Sequence, residues 1–230
     1  MDHALTRPDY FTLTDETGQS VRGADQDWFR DVWQRRAGCG PTAAAMILDY
    51  LSAVCPELAG LAPAGGRTQA DFLSYMEALW PYVTPGTRGL DKPENFALGC
   101  RSFALSRGAV LDCRILPVPR KGRAGRPDLD QLRTFLAETL DRDCPAAFLN
   151  WSNGDLPNLD SWHWVPLIAC GGEGTDLTAV ILDGGEEKVI DLALWLRTSL
   201  LGGAFVRVYP DPAVYCRSPE KRDIDAPIKT

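Results

Sequence analysis

The sequence is poor in histidine. Only two occur in 230 residues, His3 and His163, so a mechanism that needs a structured imidazole must use His163. The seven cysteines are Cys39, Cys55, Cys100, Cys113, Cys144, Cys170 and Cys216. No two have C-x-x-C spacing, which removes the usual zinc pattern, and neither metal nor cofactor is expected. Their odd number and wide scatter argue against a disulfide framework and leave most of them as small buried hydrophobes. Long apolar runs are also missing. The longest, residues 43–48, is far short of the ~20 residues that span a bilayer. Residues 1–8 lack the apolar stretch of a secretory signal. The expectation is a cytoplasmic protein with no membrane partner. Basic charge is in deficit, with 24 Lys and Arg against 31 Asp and Glu and a net charge of −7. Such a surface suits a phosphate backbone poorly, so nucleic acid is excluded as a partner.

What is present is an ordinary globular composition, 45% hydrophobic and 24% charged, with no internal repeat and no flexible linker. One domain is expected over residues 1–230. Residues 1–32 read as an irregular segment tacked down by Tyr10, Phe11, Trp28 and Phe29, and residues 211–230 as a polar tail. Residues 41–53 are apolar almost all round, which predicts a central buried helix with Pro41 in its first turn. Helices are also predicted over 68–80, capped by Thr68, over 93–107, closed by Gly108, and over 128–140, where Asp128 and Gln131 form a capping box. Strand patterns occupy 109–116, 146–151, 162–170, 177–183, 189–190 and 204–209, with a helical turn or two over 192–199. Helices first and mostly antiparallel strands later define an α+β fold.

The most informative string is Gln34-Arg35-Arg36-Ala37-Gly38-Cys39-Gly40-Pro41-Thr42. Cys39 sits where a loop enters a helix, and amides at a helix N-terminus favour a thiolate there. Gly40 leaves the sulfur unobstructed for a substrate carbonyl. A thiolate is the nucleophile that acyl transfer needs. Gln34, five residues earlier on the incoming loop, is either a solvated residue or a donor to a developing oxyanion, together with the Cys39 N–H.

His163 opens an apolar strand and is the available base for Cys39. Gly171-Gly172-Glu173-Gly174-Thr175 reads as a tight hairpin. If residues 172–174 form its loop, Asp183 lies directly opposite His163 and holds its second ring nitrogen. Asp-Gly is also a turn signal in its own right. Asp160 and Asn150 are the alternatives for the orienting role. Near these residues, Trp151, Trp162 and Trp164 read as core or as a wall of the cleft. The basic group Arg114, Arg120, Lys121, Arg123 and Arg126 reads as a solvated charge run, the alternative being a grip on an acidic substrate. Arg35 and Arg36 read either as solvated or as positive charge beside Cys39.

The order of these residues resembles the papain-like cysteine peptidases, and among them the C39-like family. The resemblance rests on Gln34, the Cys39-Gly40-Pro41-Thr42 helix start, the His163-Trp164-Val165 strand and the Ile181-Leu182-Asp183-Gly184 strand end, and it spans about residues 33–190. It implies a Cys-bearing helix packed on an antiparallel sheet. It implies Cys39 as nucleophile, His163 as general base and then acid, Asp183 as orienting residue and Gln34 as oxyanion donor, acting on a peptide or amide substrate. Transglutaminase-like and phytochelatin-synthase-like acyltransferases are similar in the same order of residues. A catalytically silent binding module with a papain-like shell is the reading outside enzymes.

Overall fold

The computed structural model describes residues 1–215; residues 216–230, with Cys216 and most of the expected tail, lie outside the described residues. Residues 1–32 are more ordered than their polarity predicts. They hold β1 (His3–Ala4), a 3-10 turn at Pro8–Phe11, a small hairpin of β2 (Thr12–Thr14) and β3 (Ser20–Arg22), and a second 3-10 turn at Gln26–Trp28. Then come α1 (Val32–Ala37), α2 (Cys39–Val54), α3 (Gln69–Leu79), α4 (Pro93–Ser106), β4 (Leu111–Val118) and α5 (Leu129–Leu140). The chain continues through β5 (Ala146–Asn150), β6 (His163–Gly171), β7 (Thr178–Asp183), β8 (Glu186–Asp191), α6 (Leu192–Thr198), β9 (Gly203–Pro210) and α7 (Pro212–Tyr215).

The long strands form one antiparallel sheet in the order β4-β9-β5-β6-β7-β8, and β1 also pairs with β6. The result is a mixed fold of helices and an antiparallel sheet. Its core is continuous from the N-terminal segment to β9. The helix α2 lies at the centre, against β6, α3 and α4. Every residue from Cys39 to Ser52 is buried, as an all-round apolar helix requires. Beside it Trp164 of β6 stacks on Phe96 of α4 with ring centroids 4.4 Å apart, and its indole N–H donates to the Leu90 carbonyl at 2.7 Å. The N-terminal aromatics are tied to the same core. Phe11 stacks on Tyr50 at 5.0 Å, and the Tyr10 hydroxyl donates to the buried Asp49, which Arg67 also pairs.

Two local expectations are corrected. The stretch around Gln34 is helical, not a loop: the Asp31 side chain accepts from the Trp33 and Gln34 amides and caps α1. Gly38, in a right-handed helical conformation, then links α1 to α2. A Cβ on Gly38 would lie 2.4 Å from the Gln34 carbonyl oxygen and 2.7 Å from the Phe29 ring, so only glycine fits. The β6–β7 register also differs from the one expected. Gly171 faces Thr178 instead of Thr175, the connection runs over 172–177, and an irregularity between Leu167 and Ala169 shifts the ladder again.

Candidate active site

Three elements converge on one small cavity. Cys39 is the first residue of α2, where the N–H of the opening turn has no partner within the helix. His163 begins β6 and Asp183 ends β7. The cavity they line measures about 20 Å³, and Ala24, Gln26 and Thr42 complete much of its wall.

His163 Nε2 is 2.7 Å from Asp183 Oδ1, and the other carboxylate oxygen accepts from Lys188 Nζ at 2.8 Å. With Nε2 occupied, Nδ1 is the ring nitrogen left free, in the cavity that Cys39 also lines. The Asp183 contact thus selects the tautomer that carries its proton on Nε2. Burial disfavours the charged ring, but hydrogen bonds to Asp183 and Cys39, together with their negative charge, raise its pKa to about 10. Burial acts the opposite way on the carboxylate, yet His163 and Lys188 hold the Asp183 pKa down at about 2. The three side chains are largely shielded from solvent: Cys39 is 8% exposed, and the His163 and Asp183 side chains 15% and 11%.

Asp183 meets His163 by a different route from the expected one. The shifted ladder does not set the two residues directly opposite each other; they meet at the open end of β6–β7, beyond its last paired residues, Leu167 and Ile181. The next turn is a two-residue hairpin through Gly184 and Gly185, with φ of 61° and 78°. The β7–β8 register puts Lys188 across from Ile181, hence diagonal to Asp183 on the same face. Lys188 went unnoticed in the sequence.

The alternatives for the orienting role are engaged elsewhere. Asn150 faces His163 across the β5–β6 ladder, but its amide donates to the Asp160 carbonyl and its oxygen accepts from Trp195. Asp160 contributes that backbone oxygen to Asn150 while its side chain is exposed.

Gln34 lies on α1, half-buried, and is not among the residues lining the cavity. Gln26 is, and its side-chain amide donates to the Arg35 carbonyl at 2.7 Å. Gly40 packs against Leu90, which an added Cβ would approach to 2.7 Å, so its missing side chain serves packing and not the approach of a carbonyl to sulfur. Arg35 donates to the carbonyls of Phe29 and Arg30, and Arg126 to those of Pro119, Leu196 and Ser199. Both are structural braces. Trp164 is core, whereas Trp162, with φ 57°, is 53% exposed immediately before His163.

The N-terminal segment covers the cavity. Arg22 bonds Glu187 on β8 and the Thr12 hydroxyl, and its amide donates to the Gly185 carbonyl. The Ala24 amide reaches the Met46 sulfur at 3.2 Å. The carboxyl of Asp25, beside this site, is pushed up in pKa by burial and by the charges of Asp27 and Asp183. Burial raises the pKa of Cys55 to about 11 and that of Cys113, Cys144 and Cys170 to about 12, and raises that of Cys100 as well. Among the described residues no group of three or more His, Cys, Asp or Glu is arranged to hold a metal ion. No described helix is long and apolar enough to cross a membrane.

No protein-family model matches the sequence, and no curated protein matches it. Among solved structures the chain is similar to the crystal structure of the Pseudomonas avirulence protein AvrPphB. The identity is 11% and the TM-score 0.35, with 73% of this chain and 90% of that one covered. A likeness that distant leaves the functional reading to the geometry of the site.

Proposed function

We propose that the protein is a cysteine peptidase or amidase of papain-like type, C39-like in the order of its residues, with Cys39, His163 and Asp183 as its triad. The observation that carries this reading is convergence on one small cavity: Cys39, at a helix N-terminus, lines it together with His163, whose Nε2 lies 2.7 Å from Asp183 Oδ1. The chemistry follows from it. Cys39 Sγ, its proton passed to His163 Nδ1, attacks the carbonyl carbon. The carbonyl electrons move to oxygen, which the Cys39 N–H stabilises together with a side-chain amide, that of Gln34 on α1 or of Gln26 on the cavity wall. When the oxyanion collapses the C–N bond breaks, and His163 gives its proton to the leaving amine. A thioester remains on Cys39. Water, deprotonated by His163, attacks it and releases a carboxylic acid and the free thiol. Residues 24–26 line the site beside Cys39. An amine acceptor in place of water would make the same thioester an acyltransferase intermediate.

The test is alkylation of the intact protein with iodoacetamide, followed by peptide mapping at neutral pH. Cys39 is expected to label faster than the other cysteines, and His163→Ala to abolish that advantage. Equal rates at Cys39 and Cys55, unchanged in His163→Ala, would remove Cys39 as nucleophile. A panel of peptide amides, with and without added amines, then separates hydrolysis from transfer by the identity of the product.

A further inference from the structure

The Asp183 carboxylate has two oxygens and two distinct partners. One oxygen holds His163; the other is held by Lys188, which stands on β8 and does not itself line the cavity. We propose that Lys188 is a positioning residue for the Cys39–His163 pair, fixing the rotation of the Asp183 carboxylate and offsetting part of the charge that carboxylate presents to the imidazole. This rests on the reading of Cys39, His163 and Asp183 given above, and assigns the residue that governs its third member.

The argument is geometric first. An aspartate held by a single hydrogen bond rotates about its χ2 and delivers a poorly fixed acceptor. Here a second charged donor at 2.8 Å pins the far oxygen. The β7–β8 ladder itself supplies that donor, because Lys188 is diagonal to Asp183 and the glycine turn between the strands keeps the register short. The Lys188 side chain is 30% exposed and that of Asp183 11% exposed, so the pair lies where solvent has partly withdrawn.

The electrostatic consequence has a definite sign. An unaccompanied Asp183 would stabilise the imidazolium more strongly and make His163 a more reluctant proton donor to a leaving amine. Lys188 weakens that hold. The charged or titratable groups facing His163 are Asp183 from β7, Cys39 from α2 and Asp25 from the N-terminal segment. Those facing Lys188, besides Asp183, are Glu186 and Asp160. Besides His163 itself, Lys188 is the cation placed against Asp183.

With only two histidines, His163 can be followed by NMR without any substrate. In full-length protein carrying His3→Gln and Cys39→Ser, one imidazole remains, and Asp183 becomes its principal charged partner. Adding Lys188→Met is expected to raise the His163 midpoint by roughly 0.5–1 pH unit, the size expected of one charge removed a carboxylate's width away in a half-solvated site. Lys188→Arg should restore it. In the otherwise native enzyme Lys188→Met should lower kcat about 3–10-fold with KM nearly unchanged, again rescued by Lys188→Arg. A His163 midpoint that stays put, or falls, in folded Lys188→Met overturns the proposal, as does an Lys188→Arg variant that behaves like Lys188→Met. A change in melting temperature without a change in midpoint marks Lys188 as purely structural and overturns it as well. The underlying reading fails separately: if Cys39→Ser alone leaves the His163 midpoint where it was, Cys39 and His163 are not a coupled pair, whatever Lys188 does.

Discussion

The two walls of the cavity are built differently. On one side is α2, apolar all round, contributing Cys39 through its place in the first turn. On the other are the ends of β6 and β7, contributing an imidazole and a carboxylate in contact, with an ammonium from the middle of β8 behind the carboxylate. The helical wall positions its group by burial and backbone geometry alone. The strand wall positions its groups by charge, each held by the next. A substitution on the helical wall should therefore act through packing, and one on the strand wall through protonation.

The largest expected effect is on the strand wall. Asp183→Asn keeps the shape but lets the ring adopt the wrong tautomer. In a related triad the equivalent change lowers turnover by about 10⁴. A similar loss is expected here with the fold retained, as judged by circular dichroism. Asp160→Asn should change turnover little. Equal activity of the two variants would break the assignment of the charged wall.

Next in size is a contrast between two glutamines. Gln34→Ala should lower kcat by about 10²–10³ with an unchanged melting temperature, the loss expected for one oxyanion donor. Gln26→Ala removes a part-buried hydrogen bond to the Arg35 carbonyl. It should destabilise the protein by ~1–3 kcal/mol, with activity following stability. If Gln26→Ala loses kcat at full stability while Gln34→Ala is silent, the oxyanion donor is Gln26, the glutamine that already lines the cavity.

How much of this could be read from the sequence follows the same division. Helices α3, α4 and α5 were legible because their ends are local. The Thr68 side chain accepts from the Asp71 amide, Asp128 and Gln131 close a capping box, and Gly108 takes a φ of 75° after α4. The buried α2 was legible from its apolar circumference. The helix α1 was not, because Gln34, Arg35 and Arg36 leave it no apolar stripe; its one sequence signal was Asp31 as an N-cap. The strand wall was legible only in part. Asp183 was chosen from a hairpin register that the structure does not have, since the 172–177 connection is longer than a tight Gly-rich turn and the ladder shifts near Ala169. Pairing partners depend on loop length, and a shift of one or two residues changes them all. Lys188 was missed for a different reason: the strand pattern was legible only over 189–190, whereas β8 runs over Glu186–Asp191 directly from the Gly184-Gly185 turn.

A smaller effect concerns the cover. If the Arg22–Glu187 ion pair and the Arg22–Thr12 hydrogen bond hold residues 24–26 over Cys39, Arg22→Ala should raise the rate of Cys39 alkylation. A gain of about 3–10-fold fits the loss of a half-exposed ion pair and its neighbouring hydrogen bond. The Cys55 rate, measured in the same digest, should not change. An equal rise at both cysteines would indicate general loosening instead.

The last comparison is the pH dependence of stability, and it sets the charged wall apart from the buried helix. Folding raises the His163 pKa from its ordinary 6.5 to about 10. Across that interval the native state holds a proton that the unfolded chain has released. Stability is therefore complete below about 6.5, declines as pH rises, and loses this contribution once pH passes about 10. Asp183 acts at the other end. Its pKa falls on folding from 3.8 to about 2, so its contribution is present above 3.8 and disappears as pH drops through about 2. The buried cysteines add to the alkaline decline from about pH 8 upward, as the unfolded thiols approach their ordinary value of 9.0 and the native thiols stay protonated. The window from pH 6.5 to about 8 is therefore dominated by His163. Urea midpoints measured there should fall steadily in the native sequence and less steeply in Cys39→Ser, which removes one of the two partners that keep the ring protonated. They should flatten furthest in His163→Gln. If His163→Gln keeps the native slope, the imidazole is not held as a cation, and the charge-built wall does not exist in solution.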